Sequence, residues 1–264
     1  MSFLSLVKTT ADFELRHGVS TRRIAVSAVL TLFPPAMLFL ILFNGGPIAL
    51  DINLVICVFV FLIGLLSLLL WATPNVYSEL ESRGWIFISS RSGGRISVLL
   101  GKYIAAIFNT WVICISSVTL CLLVGDSIGN FAQSMVRLWL GYAALITLAV
   151  FAYGAIYSFI GVMFQKRAMV IAVVYTMASD LFLANVPALI SKFTVRYYLH
   201  GLALDWLDIR FGRTRRGDVP EVFSFPSDFP QFFAILILIG FTVAMLAAAA
   251  YVIRYREYIT NDEA

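Results

Sequence analysis

The chain has 264 residues, of which 61% are hydrophobic and only 13% are charged, and its formal net charge is +4. Soluble domains carry about 25% charged residues, so this composition excludes an ordinary soluble protein. The apolar residues form long runs, each able to cross a hydrocarbon core about 30 Å thick. The sequence therefore predicts an all-α integral membrane protein.

Six apolar runs reach the roughly 20 residues that a membrane-crossing helix needs. Asp180 is the one charged residue inside them, and an acid within a span faces either a partner or a water-filled cavity. Asp180 is therefore a candidate transport-pathway or subunit-contact residue, with a helix-capping hydrogen bond or a hydrogen bond between helices as the alternative. The six transmembrane helices are expected at about 24–43, 52–72, 103–124, 138–163, 168–190 and 232–253.

The basic residues select the orientation of these helices. Six crossings put both ends of the chain on one side of the membrane, and that side receives twelve Lys and Arg against seven on the other. The positive-inside rule places the more basic side in the cytoplasm. We expect one multi-pass domain in contact with membrane lipids, with cytoplasmic N- and C-termini.

Two segments are neither spans nor short turns. Residues 1–23 place apolar side chains at helical spacing with charges between them, which predicts an amphipathic helix in the cytoplasmic interface. Residues 191–231 form an extracytoplasmic loop in which a second helix is predicted, either flat on the membrane or folded over the outer mouth of a pathway. Its apolar stripe consists of Leu199, Leu202, Trp206 and Ile209.

Residues for chemistry are few. His17 and His200 fall on opposite sides of the membrane, so no catalytic or metal arrangement can be built from them, and the cysteines fall inside apolar runs as packing residues. Three arginines in the 191–231 loop have two interpretations. They could bind a phosphate-bearing substrate or a lipid headgroup at the outer face, or they could pair with nearby acids. These arginines are Arg213, Arg215 and Arg216.

The cytoplasmic segment 75–100, between the second and third predicted spans, holds the functional signal. Asn75 follows a proline and can cap a short helix, and Glu79 and Glu81 suit its early turns. Ser92-Gly93-Gly94 then ends it. A short helix over 75–90, held under the membrane, is a structure that a cytoplasmic partner can grip.

The order of residues in this segment resembles the type-2 ABC exporter permeases, and it is similar to the permease group of the nitrous-oxide-reductase maturation transporters. Glu14-Leu15-Arg16, followed by Arg22-Arg23, is similar to the opening helix of that family. Where the family often has proline after its Ser-Arg pair, this chain has Ser92-Gly93. The matching positions are Glu79, Glu81, Gly84, Ser90, Arg91, Arg95, Leu100, Gly101 and Lys102.

The resemblance implies the permease subunit of a bacterial inner-membrane ABC transporter, most simply a homodimeric exporter. A separate ABC ATPase subunit would grip the 75–90 helix, a coupling helix, and would bind ATP and Mg²⁺. This chain lacks the GxxxxGK[ST] phosphate loop, so no cofactor of its own and no enzyme activity by itself are expected, and no nucleic acid is implied. The alternatives are a non-transporting membrane scaffold or assembly factor, or a membrane-embedded enzyme. The expected docking residues are Glu79, Glu81, Arg83, Trp85, Arg91 and Arg95.

Overall fold

The computed structural model describes residues 3–17, 21–43, 52–75, 94–127, 135–164, 167–182, 194–207 and 230–256. Nearly all of these residues are helical, and no strand occurs among them. A 3-10 turn at Thr73–Asn75 ends the third helix, and a π-helical turn at Met177–Phe182 continues the sixth. The helices are α1 Phe3–His17, α2 Thr21–Phe43, α3 Ile52–Ala72, α4 Gly94–Ser127, α5 Met135–Met163, α6 Ala168–Thr176, α7 Val195–Leu207 and α8 Gln231–Tyr255.

Within the described residues, five helices are long and apolar enough to cross a membrane: α2, α3, α4, α5 and α8. They coincide with five of the six predicted runs, so the chain has the helices of a multi-pass membrane protein. The remaining run, 168–190, begins as the short apolar helix α6 and its π-helical turn. Residues 183–190 lie outside the described part of the chain, and a sixth span stays a prediction.

Helix α4 begins at Gly94, well before the predicted start of its span at 103. The end of the predicted coupling segment, 94–100, is therefore the first part of a continuous helix. The hydroxyl of Ser97 donates a hydrogen bond to the Gly94 carbonyl (2.9 Å) in the first turn. The helix therefore extends beyond the apolar run at its start, and the two charged residues of this extension, Arg95 and Lys102, both have partners in neighbouring helices.

Helix α5 forms the centre of the bundle. In its most apolar stretch 72% of the residues are buried, compared with 17% for α2 and 22% for α8. Two of its fully buried tyrosines find hydrogen-bond partners: the Tyr142 hydroxyl donates to the Asn53 carbonyl (2.9 Å), and Tyr157 pairs with the Thr176 hydroxyl (2.6 Å). A buried hydroxyl needs such a partner because it has lost its hydration. These bonds fix α5 against α3 and α6.

The helix ends gather at two ends of the bundle. One end, which we call the basal end, is formed by α1, the starts of α2 and α4, and the ends of α3, α5 and α8. The opposite end is the distal end. At the basal end the Arg23 guanidinium lies 4.9 Å from the centre of the Trp71 ring. The Thr73 carbonyl approaches Gly161 so closely that a Cβ there would lie 2.6 Å from the oxygen.

Helix α7 covers part of the distal end, against α5 and α8. The predicted stripe residues Leu199 and Leu202 are buried there, and Leu207 packs against Gly141 at the start of α5. The indole of Trp206 donates a hydrogen bond to the Gln231 side chain at the start of α8 (3.2 Å). An amphipathic helix in the loop before α8 is therefore packed onto the bundle by its apolar side.

We expect Gly161→Ala to lower the free energy of unfolding by about 1–3 kcal/mol, because the added methyl group collides with the backbone carbonyl of Thr73. Gly240→Ala is the matched control, since a Cβ at Gly240 meets nothing within 4 Å. Thermal unfolding in mild detergent measures both variants. Equal stability of the two would contradict the close contact between α3 and α5.

We expect His200 to make the protein less stable in acid. Burial, and to a lesser degree the charge of Arg196, lower the pKa of His200 from 6.5 to about 4. The unfolded chain therefore binds this proton at a higher pH than the folded chain does. The contribution of His200 to stability is complete above about pH 6.5 and is lost as the pH falls towards about 4.

The melting temperature, followed from about pH 7.5 to about pH 5, tests this expectation. It should fall more steeply for the wild-type protein than for His200→Gln, whose side chain does not titrate. Parallel curves for the two proteins would show that His200 is as easily protonated in the folded chain as in the unfolded one.

Candidate functional site

The predicted site residues divide according to whether the structure describes them. Arg95 is described and lies in the first turn of α4. The backbone of Asp180 lies in the π-helical turn, while its side chain is outside the described part of the structure. The other predicted residues also lie outside the described residues; these are Glu79, Glu81, Arg83, Trp85, Arg91, Arg213, Arg215 and Arg216.

The predicted docking helix, 75–90, falls almost wholly within residues 76–93, which lie outside the described residues and which we call the docking segment; the described residues on both sides of it are at the basal end. The docking segment follows the 3-10 turn Thr73–Asn75, which packs against α3, α5 and α6, and it precedes Gly94 at the start of α4. Thr73 is fully buried, with its carbonyl against Gly161. Both attachment points are therefore held by packing, and a force on the segment would act directly on α3 and α4.

Helix α1 lies against the first part of α4. Val7 and Ala11 of α1 are buried, and Gly101 of α4 lies opposite Val7 and Thr10. A Cβ at Gly101 would lie 2.7 Å from the Cβ of Thr10 and 3.1 Å from the Val7 carbonyl. Small residues let two helix backbones approach this closely, so glycine is required at this position.

An ion pair closes the same contact. The Lys102 Nζ lies 3.2 Å from Glu14 Oε1, with Lys102 only 6% exposed and Glu14 24% exposed. A buried ammonium without its counter-charge is costly, so Glu14 is needed wherever Lys102 is packed in this way. The pair joins the two stretches whose sequences resemble the opening helix and the Leu-Leu-Gly-Lys motif of the exporter permeases.

On its other side, α4 meets α5 and α8 at a contact that we call the three-helix junction. Four buried residues form its apolar part: Leu99, Val162, Ala249 and Ile253. Two arginine side chains lie at its rim. Arg95 donates a hydrogen bond to the Arg254 carbonyl (3.4 Å), and Arg256 donates one to the Met163 carbonyl.

Positive charge is concentrated at the basal end. Of the Lys and Arg in the described residues, Arg137 and Arg196 are distal and the others are basal. Asp12 and Glu14 are the described acids at the basal end. The prediction from the sequence that this side faces the cytoplasm uses the same basic residues. Among the described side chains, the basal set is Lys8, Arg16, Arg23, Arg95, Lys102, Arg167, Arg254 and Arg256.

A small apolar cavity lies among α3, α4 and α5, with a volume of about 30 Å³. Its walls include Cys57, Phe61, Cys114 and Tyr153, and it has room for about one water molecule. Among the described side chains, no three His, Cys, Asp or Glu residues come together as metal ligands do.

Comparison of the chain with known protein families and with curated proteins finds no match. The likeness to exporter permeases therefore depends on the sequence stretches named above. Sequence reasoning identified Glu14 and Lys102 as motif residues but missed that they pair. It also missed the contact of Arg256 with α5, although an arginine at the end of a helix is a known capping signal.

We expect Lys102→Met to lower the free energy of unfolding by about 2 kcal/mol, because Glu14 loses its counter-charge within a packed contact. Glu14→Gln should have a similar effect. The double variant should lose clearly less stability than the sum of the losses of the two single variants, since each single change already breaks the pair. Thermal unfolding of the four proteins in one detergent gives the coupling energy, and strictly additive losses would mean that the two side chains do not interact.

Proposed function

We propose that the chain is the permease subunit of an ATP-driven ABC exporter of the bacterial inner membrane. The observation that supports this proposal best is the contact between α1 and the start of α4. Two stretches that resemble the same family, far apart in the sequence, meet through Gly101 and through the Glu14–Lys102 pair. They meet where the predicted docking segment rejoins the bundle.

In this proposal the basal end faces the cytoplasm, in agreement with its excess of Lys and Arg. Helix α1 lies in the cytoplasmic interface, where its exposed Phe13 meets lipid while Val7 and Ala11 pack on α4. The run 168–190 provides the sixth crossing. Two copies of the chain pair in the membrane, and the pathway runs between helices of the dimer, with Asp180 as a pathway or subunit-contact residue.

The ATPase subunit binds ATP and Mg²⁺ and grips the segment 75–90 from the cytoplasm. The docking residues are Glu79, Glu81, Arg83, Trp85 and Arg91, with Arg95 at the border between the segment and α4. Closure of two ATPase subunits on ATP pushes this segment. The push reaches α3 and α4 because the segment is continuous with both helices, and a change in their tilt opens the pathway to the outer side.

We expect the double change Glu79→Lys and Glu81→Lys to abolish binding of any ABC ATPase encoded beside this chain, while the fold is kept. Reversing two charges converts attraction into repulsion at the docking surface. Co-purification from mild detergent, followed by ATP hydrolysis of the complex, measures the effect. Asp126→Lys is the control, because Asp126 is an exposed acid at the distal end of α4.

Two results would count against the proposal. If the wild-type chain recruits no ATPase, a membrane scaffold or assembly factor becomes the better interpretation. If the double variant still binds the ATPase as the wild-type chain does, the docking helix lies elsewhere in the protein. The melting temperature of the double variant must match that of the wild-type chain for a loss of binding to be assigned to docking.

A further inference from the structure

Arg95 lies where the predicted docking segment becomes helix α4. Its Nη1 donates a hydrogen bond to the carbonyl of Arg254, 3.4 Å away, in the last turn of α8. The last carbonyls of a helix have no donor within the helix, and they carry the negative end of the helix dipole. A guanidinium from a neighbouring helix satisfies both, so Arg95 ties the first turn of α4 to the last turn of α8.

Arg256 makes a second contact of the same kind. It follows the last residue of α8, where its backbone N–H donates to the Val252 carbonyl (2.9 Å). Its guanidinium donates to the carbonyl of Met163, the last residue of α5. The end of α8 is thus hydrogen-bonded to α4 through Arg95 and to α5 through Arg256.

The apolar part of the three-helix junction lies beside these arginines. Leu99 of α4, Val162 of α5, and Ala249 and Ile253 of α8 form a buried cluster separate from the main core. Helix α8 packs along α5 but has far fewer contacts with α4. The junction is therefore the contact between the first part of α4 and the last turns of α8.

We propose that Arg95 is a positioning residue that passes movement of the docking segment to α8 and, through Arg256, to α5. This inference rests on the proposed function and refines it, because the sequence alone groups Arg95 with the residues that contact the ATPase. In the structure its side chain instead reaches a carbonyl of its own subunit. An ATPase then gains its grip from residues before Arg95, and Arg95 distributes the force.

Arg95→Gln tests the inference in the full chain bound to the ATPase encoded beside it. Amide hydrogen exchange of residues 252–256 is measured with and without a non-hydrolysable ATP analogue, and the affinity for the ATPase is measured in parallel. The wild-type chain should show a nucleotide-dependent change of exchange at the end of α8. Arg95→Gln should reduce that change by about threefold or more while the Kd for the ATPase stays within about twofold.

Arg254→Gln is the matched control. It removes a positive charge at the same junction but keeps the carbonyl that Arg95 contacts, so the nucleotide-dependent change should persist. A purely structural role of Arg95 would raise exchange equally with and without nucleotide. The difference between the two states would then survive in Arg95→Gln, which overturns the inference.

The affinity measurement separates the remaining outcomes. A Kd weaker by about tenfold or more in Arg95→Gln would make Arg95 a docking residue and overturn the positioning role. Failure of the wild-type chain to bind the ATPase would overturn the proposed function and this inference together. That failure is seen before any substitution is made, so it is distinct from a failure confined to Arg95→Gln.

Discussion

The close approach of α1 to α4 at Gly101 is the contact on which the basal end of the bundle depends. Because residue 101 has no Cβ, the backbone of α1 comes near enough for Glu14 to reach Lys102. Lys102 would otherwise be a nearly buried charge with no compensation, on a helix that enters the membrane within a few residues. The close packing of α1 on α4 and the Glu14–Lys102 ion pair therefore depend on each other. The same contact fixes the start of α4, and hence one end of the segment 76–93.

Helix ends, like the buried charge of Lys102, carry polar groups that need partners. Their last carbonyls have no donor within the helix, so they need one from water or from a side chain of another helix. At the basal end two of these ends, in α8 and α5, receive guanidinium groups from Arg95 and Arg256. Capping of this kind makes the end of one helix depend on the position of another. The bundle therefore has mechanical connections at its base that its apolar faces alone, which pack without directional bonds, would not provide.

The spans were predictable from the sequence because each depends on local hydropathy, and α2, α3, α4, α5 and α8 lie where apolar runs predict them. The start of α4 was not predictable from the sequence, because the charges of Arg95 and Lys102 do not indicate a packed helix until their partners are known. The Glu14–Lys102 pair joins residues far apart in the chain, and the acceptors of Arg95 and Arg256 are backbone carbonyls, which no side-chain pattern reveals. The sequence therefore identified individual residues of the site, but which residues pair with each other could be seen only in the folded structure.

The described residues on both sides of the proposed docking segment, 76–93, are linked to the end of α5. From its first end, the Thr73 carbonyl presses against Gly161 in the last turn of α5. From its second end, α4 reaches α8 through Arg95, and Arg256 then reaches Met163, two residues beyond Gly161. Helix α5 is the most buried of the spans and leads directly into α6 and its π-helical turn, which contains Asp180. The turn before residues 76–93 and the helix after them are therefore both linked to the last turn of α5, the centre of the bundle.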